Sequence, residues 1–273
     1  MLIDIETMER MHEMQFEMLK ELIKVMDSLH VQYYFVHGSL LGAIRQHNFI
    51  IEDDDIDIAV PRSDYNRLMQ EGNDYLPEGF FLQTSVNDDF PLAFGKMRNS
   101  NTAFMQPVLE QYHCNQGIYI DIFPLDYTPR HAFWREAKIK LMNIRINSRM
   151  EREESVKYKI TKAVAKALYP SVEGTMKRRE RLLSGMKETA FVSIYGGKQS
   201  ERRMPLEWFG KGKSIRFRGI EVNCPNRTDQ YLSRIYGEDY LNHNPAQDRI
   251  SADYRIEISA KVLDFEKSYL EYL

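Results

Sequence analysis

Met8, Met11, Met18, Leu22, Val25, Met26 and Leu29 recur near helical spacing, with Glu and Lys between them. That spacing predicts an amphipathic helix over residues 7–30 packed on a core, its methionines filling gaps. Tyr33–Val36 is a short aromatic and β-branched run, the pattern of a buried strand, and it ends at His37-Gly38-Ser39. A short helix is expected over Leu40–Gln46. Asp55-Ile56-Asp57-Ile58 then alternates with period two. A strand there would project both carboxylates from one face and bury Ile56 and Ile58 on the other. Ile120-Asp121-Ile122, inside GIYIDIFPLD (117–126), repeats the pattern of one acid between apolar neighbours. Phe133–Ala190 carries few strand signals, and its apolar residues recur as in helices. Ile215–Val222 alternates like a hairpin or edge strand.

These elements predict an α/β protein with a small mixed sheet plus a helical insertion or cap. The expected boundaries are a catalytic core over 1–130, the helical insertion over 131–190, and a C-terminal part, 191–273, that completes the core domain. No repeat, low-complexity tract or Gly/Ser linker interrupts the chain. With 273 residues, 43% hydrophobic and 28% charged, it is long enough to bury a sizeable core. Cys114 and Cys224 lie far apart without CxxC spacing, which excludes a disulfide framework and a thiolate zinc site. No apolar run reaches about 18 residues and no signal-like N-terminus is present, so the expected location is the cytoplasm.

The net charge of -3 hides an asymmetry. From His131 to Lys187 there are fifteen Lys and Arg against six Glu and no Asp, a balance of +9 that leaves -12 elsewhere. Such a segment is most simply a solvated helical face. The alternatives are an anionic surface, a phosphorylated substrate or nucleic acid, with the segment either covering the donor site or lying at the inner face of a membrane.

The acids carry the chemistry. Two same-face carboxylates repel, and a divalent cation is the commonest way for them to coexist where oxygen ligands cluster. If the two acidic strands are neighbours, Asp121 joins Asp55 and Asp57 around one site, with Asp53 and Asp54 as outer or alternative ligands. Three carboxylates can hold one or two Mg²⁺ or Mn²⁺ ions, an arrangement suited to phosphoryl transfer. Gly38-Ser39 at a strand-to-helix turn would let backbone approach a phosphate at a helix N-terminus. Arg45 lies two turns further on and could reach the same phosphate or form an ordinary ion pair. Lys96 and Arg98 alternate in FGKMRNSNT (94–102), and would either face the acids or line a solvent face. GKGKS (210–214) ends like a phosphate-binding loop, but Glu207 stands where that loop needs glycine. His37, His47 and His113 read as structural.

Taken in order, GSLLGAIRQHNFIIEDDDIDIAVPR (38–62), FGKMRNSNT, GIYIDIFPLD and YLSRIYGEDYL (231–241) resemble the blocks of the LicD family. That family of nucleotidyltransferase-fold proteins includes phosphocholine transferases of bacterial surface glycans and the fukutin-related proteins. Ser39 stands where many members have Thr, and Glu52 where a Trp often precedes the acidic run. The resemblance implies a nucleotidyltransferase-type core and transfer of a phospho-alcohol, phosphocholine above all, from a CDP-activated donor to a sugar hydroxyl, releasing CMP. Asp55, Asp57 and Asp121 would bind the metal, and Asp121 would take the acceptor's proton. Gly38, Ser39, Arg45, Lys96 and Arg98 would surround the donor. The implied partners are a CDP-alcohol and a glycan acceptor, free or lipid-linked, with no nucleic acid. Choline would call for an aromatic cage, drawn from 16 Tyr, 14 Phe and 2 Trp. Nucleotidyl transfer, Asp-x-Asp sugar transfer and non-catalytic divalent-metal binding are the alternatives.

Overall fold

A computed structural model describes residues 1–129, 133–149, 155–194, 203–242 and 255–273. The short strand β1 (Leu2–Ile3) leads into α1 (Ile5–Ser28). Asp4 caps this helix by accepting the Thr7 N–H at 2.8 Å, which starts it two residues earlier than the apolar pattern alone indicates. His30, at φ 52°, turns the chain out of helical geometry. The apolar stripe of α1 is buried as expected, and two polar residues, His12 and Gln15, are buried within it.

The chain continues as β2 (Tyr34–Phe35), α2 (His37–Gln46), β3 (Asp57–Pro61), α3 (Arg62–Glu71), β4 (Phe80–Gln83), β5 (Gly95–Asn99), β6 (Ala103–Met105) and β7 (Ile118–Tyr127). The insertion follows as α4 (Phe133–Ile146), α5 (Val156–Leu168) and α6 (Val172–Ser184). Then come β8 (Phe191–Ile194), β9 (Met204–Pro205), β10 (Lys213–Phe217), β11 (Ile220–Cys224), α7 (Thr228–Tyr236), β12 (Ile256–Glu257) and β13 (Val262–Asp264).

Among the described residues the main sheet is mixed and has the order β2-β3-β7-β5-β4, with β8 added beside β7 and β9 beside β8. Strands β3 and β7 are parallel, and the other pairs are antiparallel. The ten residues of β7 serve three neighbours: β3 on one edge, β5 and then β8 on the other. Alternation divides the sheet. Ile58, Val60, Met97, Ile118, Ile120 and Ile122 join the stripe of α1 in one core, while Asp57, Lys96, Arg98, Tyr119, Asp121 and Phe123 occupy the alternate positions, on the opposite face. The predicted hairpin is β10–β11, closed by Arg218-Gly219 at φ 47° and 86°, as a two-residue turn of that kind requires.

Two boundaries differ from the sequence expectation. Strand β3 begins at Asp57, so Asp55 lies in the approach to the strand rather than within it, although Ile56 and Ile58 are both fully buried as the alternation demands. Helix α2 begins at His37, which places Gly38 and Ser39 in its first turn instead of in a preceding turn.

Helices α4–α6 pack on one another and form small apolar clusters of their own around Ile139, Met142 and Leu183 and around Ile146 and Met176. A buried ion network ties them to the sheet. Arg62 donates to both carboxylate oxygens of Asp126, at 2.6 and 2.9 Å, and to Glu180 of α6 at 2.6 Å. Arg179 bridges Glu180, Asn143 of α4 and the Ala93 carbonyl. Asp126 is wholly buried, so Asp126→Ala removes a partner that Arg62 cannot replace with water. The substitution is expected to cost about 3 kcal/mol, read as a lower urea midpoint.

Candidate metal-binding active site

Asp53, Asp54, Asp55 and Asp57 crowd the approach to β3, and the fold holds this segment from three sides. From α1, His12 Nε2 donates to the Asp53 carbonyl at 2.7 Å while its ring stacks on Phe49 at 4.1 Å. Gln15 Nε2 donates to the Asp54 carbonyl at 2.9 Å and the Tyr119 carbonyl at 3.3 Å, linking the loop to β7. From the C-terminal segment, Ser259 donates its N–H and hydroxyl to the Asp54 carboxylate at 3.2 and 3.1 Å. From α2, Ser39 Oγ accepts the Asp57 N–H at 2.7 Å. Gly38 is needed for close approach, because a Cβ there would overlap the Asp53 carboxylate. The first turn of α2 thus receives a carboxylate where the sequence suggested a phosphate.

The sheet register sets the rest of the site. Asp57 on β3, Asp121 on β7 and Lys96 on β5 lie directly across from one another in one row. Asp55, Asp57 and Asp121 each bring an oxygen within 4.8 Å of the others, and Asp53, Asp54 and Asp55 make a second such group. Lys96 donates to Asp121 and sits 3.4 Å from the centroid of the Tyr119 ring. Burial first, then mutual repulsion, holds the Asp55 and Asp57 carboxyls well above the ordinary carboxylate range. Asp121 is raised less, because burial is opposed by the Lys96 ammonium. Lys96 is itself lowered by burial despite that pairing.

The donor set fits a divalent ion. All the ligand atoms are carboxylate oxygens, the choice of hard cations, and their spread is close to twice a Mg–O distance of about 2.1 Å. Three ionised acids facing one ammonium leave two negative charges, which one such ion would cancel.

Not every predicted neighbour comes to this row. Arg45 is exposed in the last turn of α2, roughly 10 Å along the helix from Gly38. Arg98 does point from the same face of β5 as Lys96, but it is fully buried and its guanidinium donates to Gln83 Oε1 and the Gly117 carbonyl, both at 2.8 Å. The solvent-face reading of this pair is therefore overturned.

Several rings line the neighbourhood that the sequence left unassigned. Phe123 is two residues from Asp121 on the same face of β7; its centroid is 4.8 Å from Phe94 and 5.9 Å from His37. Tyr231 of α7 donates toward His37 Nδ1 or accepts from it at 3.5 Å. Tyr236, in the same helix, is raised by burial and then by the charges of Asp53, Asp57 and Asp55. The signal for Phe94 and Phe123 was their position two residues from Lys96 and Asp121. His37, by contrast, read as structural.

Comparisons with known proteins point to one family. Residues 30–157 match the family model LicD/FKTN/FKRP, nucleotidyltransferase domain. Over 231 residues, the chain is 23% identical to the lipopolysaccharide cholinephosphotransferase LicD of Haemophilus influenzae, a match covering 80% of this chain and 85% of that protein. It is also 25% identical over 119 residues to an uncharacterized protein of Rickettsia prowazekii, covering 44% and 41% of the two chains.

Two measurements probe this architecture. Burial pushes His12 down to about 4 from its ordinary value near 6.5, so the unfolded chain binds more protons between these limits and stability falls as pH falls through them. The raised acids act in the opposite sense, so the comparison is with His12→Gln: the difference in unfolding free energy should change by up to about 3 kcal/mol from pH 7 to pH 4. A difference that is flat with pH would show that His12 is not held neutral. For the acids, Asp57→Asn relieves repulsion and should melt higher than wild type in a chelator. Wild type should then gain about 3 kcal/mol with Mg²⁺ at roughly 100 times its dissociation constant, and Asp57→Asn much less. Equal gains would place the ion elsewhere.

Proposed function

We propose, from the match of residues 30–157 to the LicD family model, that this protein transfers a phospho-alcohol group, phosphocholine in the first instance, from a CDP-activated donor to a sugar hydroxyl of a cell-surface glycan precursor. The observation that carries the reading is the row Asp57–Asp121–Lys96, with Asp55 closing the acidic group within 4.8 Å. The name of the Haemophilus relative supports choline phosphate as the group and a lipopolysaccharide-type glycan as the acceptor.

In this reading Asp55, Asp57 and Asp121 hold Mg²⁺ or Mn²⁺, with Asp53 as a further ligand. Such an ion supplies charge neutralisation at the phosphates of the donor. The chain's own residues do the rest. The acceptor oxygen attacks the phosphorus that carries the alcohol, the bond from that phosphorus to the CMP oxygen breaks, and the acceptor's proton passes to the Asp121 carboxylate. Lys96, donating to the same carboxylate, fixes its orientation. Ser39 keeps Asp57 in place through its backbone N–H. His37, Phe94, Phe123 and Tyr236 offer ring faces and edges of the kind that receive a quaternary ammonium. Arg98 serves the site from outside by holding Gln83 and Gly117.

The test is product release. With CDP-choline, CDP-ribitol or CDP-glycerol, a divalent ion and a panel of glycan acceptors, CMP should appear with CDP-choline preferred. Asp57→Asn and Asp121→Asn should each reduce the rate by at least about 100-fold, the scale of losing a group that acts on developing charge. Pyrophosphate released from a nucleoside triphosphate would replace this reading with nucleotidyl transfer, and a nucleoside diphosphate released from a sugar nucleotide would replace it with sugar transfer.

A further inference from the structure

Helix α5 has an outer face that its own packing does not explain. Its inner face, Tyr158, Thr161 and Ala165, is half-buried to buried, and the helix packs on α4. On the outside, Val156, Ile160, Val164 and Leu168 follow one another at four-residue intervals and are 75%, 62%, 45% and 57% exposed. Side chains at that interval stack along one side of a helix, so this is a continuous apolar stripe rather than scattered exposure. Exposed apolar residues in one line mark a contact surface.

The charges beside the stripe select the partner. Lys157, Lys159 and Lys166 are exposed alongside it, Lys162 is half-buried, and α5 contains no acid. A second copy of the chain laid on this face would set lysines against lysines, whereas an anionic surface would not. The stripe ends at Leu168, which lines an open hollow of about 350 Å³ together with Gly174, Arg178 and Arg181. Two guanidinium groups at the end of an apolar, lysine-flanked helix are the arrangement that receives phosphate headgroups while the apolar side enters the acyl boundary. Phe133 and Trp134 at the start of α4 are also 73% and 78% exposed, side chains favoured at that boundary. No helix of the described residues is long and apolar enough to cross a membrane, so such contact would be peripheral.

We propose that α5 docks this protein on an anionic phospholipid bilayer, with Val156, Ile160, Val164 and Leu168 entering the interface and Lys157, Lys159, Lys166, Arg178 and Arg181 meeting the headgroups. The inference goes beyond the proposed reaction and needs neither donor nor acceptor for its test. The full-length protein would be co-sedimented with vesicles of equimolar phosphatidylglycerol and phosphatidylcholine, and with vesicles of phosphatidylcholine alone. Binding should be roughly 100-fold tighter to the anionic vesicles, as three exposed lysines near a charged surface imply, and should weaken with salt. Ile160→Asp with Val164→Asp should lower it at least about tenfold. Lys157→Glu with Lys166→Glu should remove the preference for anionic lipid. Both variants alter exposed side chains, and an unchanged circular dichroism spectrum and unfolding midpoint would confirm that they fold. Absent binding, equal binding to the two vesicle types, or binding untouched by both variants would overturn the proposal. A wild-type dimer that Ile160→Asp with Val164→Asp splits, without vesicle binding, would overturn it in favour of self-association.

Discussion

Repulsion among half-buried and buried carboxylates is the constraint around which this molecule is built. Asp57 and Asp121 are held side by side by a parallel strand pairing that neither can leave without breaking the sheet, and Asp55 is brought to them by the turn into β3. Asp121 is buried and Asp55 and Asp57 half-buried, so water screens the group incompletely and the acids resist ionisation when no cation accompanies them. The site is in that sense unfinished chemistry, stable as a fold and short of positive charge. Lys96 supplies part of the deficit. Because it is itself buried and over the face of Tyr119, its charge is delivered to Asp121 and not dissipated into solvent.

Holding acids against their own repulsion needs backbone support, and the structure provides it from elements far apart in sequence. His12 and Gln15 fasten the carbonyls of Asp53 and Asp54, Ser39 fastens the amide of Asp57, and Ser259 takes the Asp54 carboxylate. None of these contacts supplies a counter-charge. They fix geometry, and so leave the charge deficit to be met by whatever binds. The insertion α4–α6 is attached by a different means, the Arg62–Asp126–Glu180–Arg179 network, whose formal charges balance internally and which therefore makes no demand on a ligand.

What could be read in the sequence was whatever rests on periodicity. Period two in Asp55–Ile58 and Ile120–Ile122 told which side chains share a face, and the face was right even though Asp55 lies outside the strand, because Ile56 and Ile58 still anchor the turn. The stripe of α1, the helical insertion and the hairpin around Gly219 were legible for the same reason. Tertiary pairing was not. Alternation cannot say that Lys96 reaches Asp121 while Arg98, two residues on, is spent on Gln83 and a carbonyl; the register of β5 against β7 decides that. His12 and Gln15 did leave a trace, as polar residues in an otherwise apolar stripe, which is costly unless each finds a partner. The contact of Ser259 with Asp54 crosses some two hundred residues and left none.

The position of Asp53 shows how the two halves of the site reading fit together. A glycine at a strand-to-helix turn suggested backbone approaching a phosphate, and in the structure the Asp53 carboxylate lies against Gly38 instead. Both are anions drawn to the same feature, the positive end of α2. A phosphate that arrived alone would meet Asp53 there, and whatever charge the three further acids carry would repel it. One that arrived with a divalent cation would bring the charge that the row Asp55–Asp57–Asp121 lacks. In the proposed reaction the acidic cluster therefore does more than hold an ion: it makes the bare diphosphate of a donor a poor ligand and the ion-bound form a good one, a selectivity that follows from charge balance.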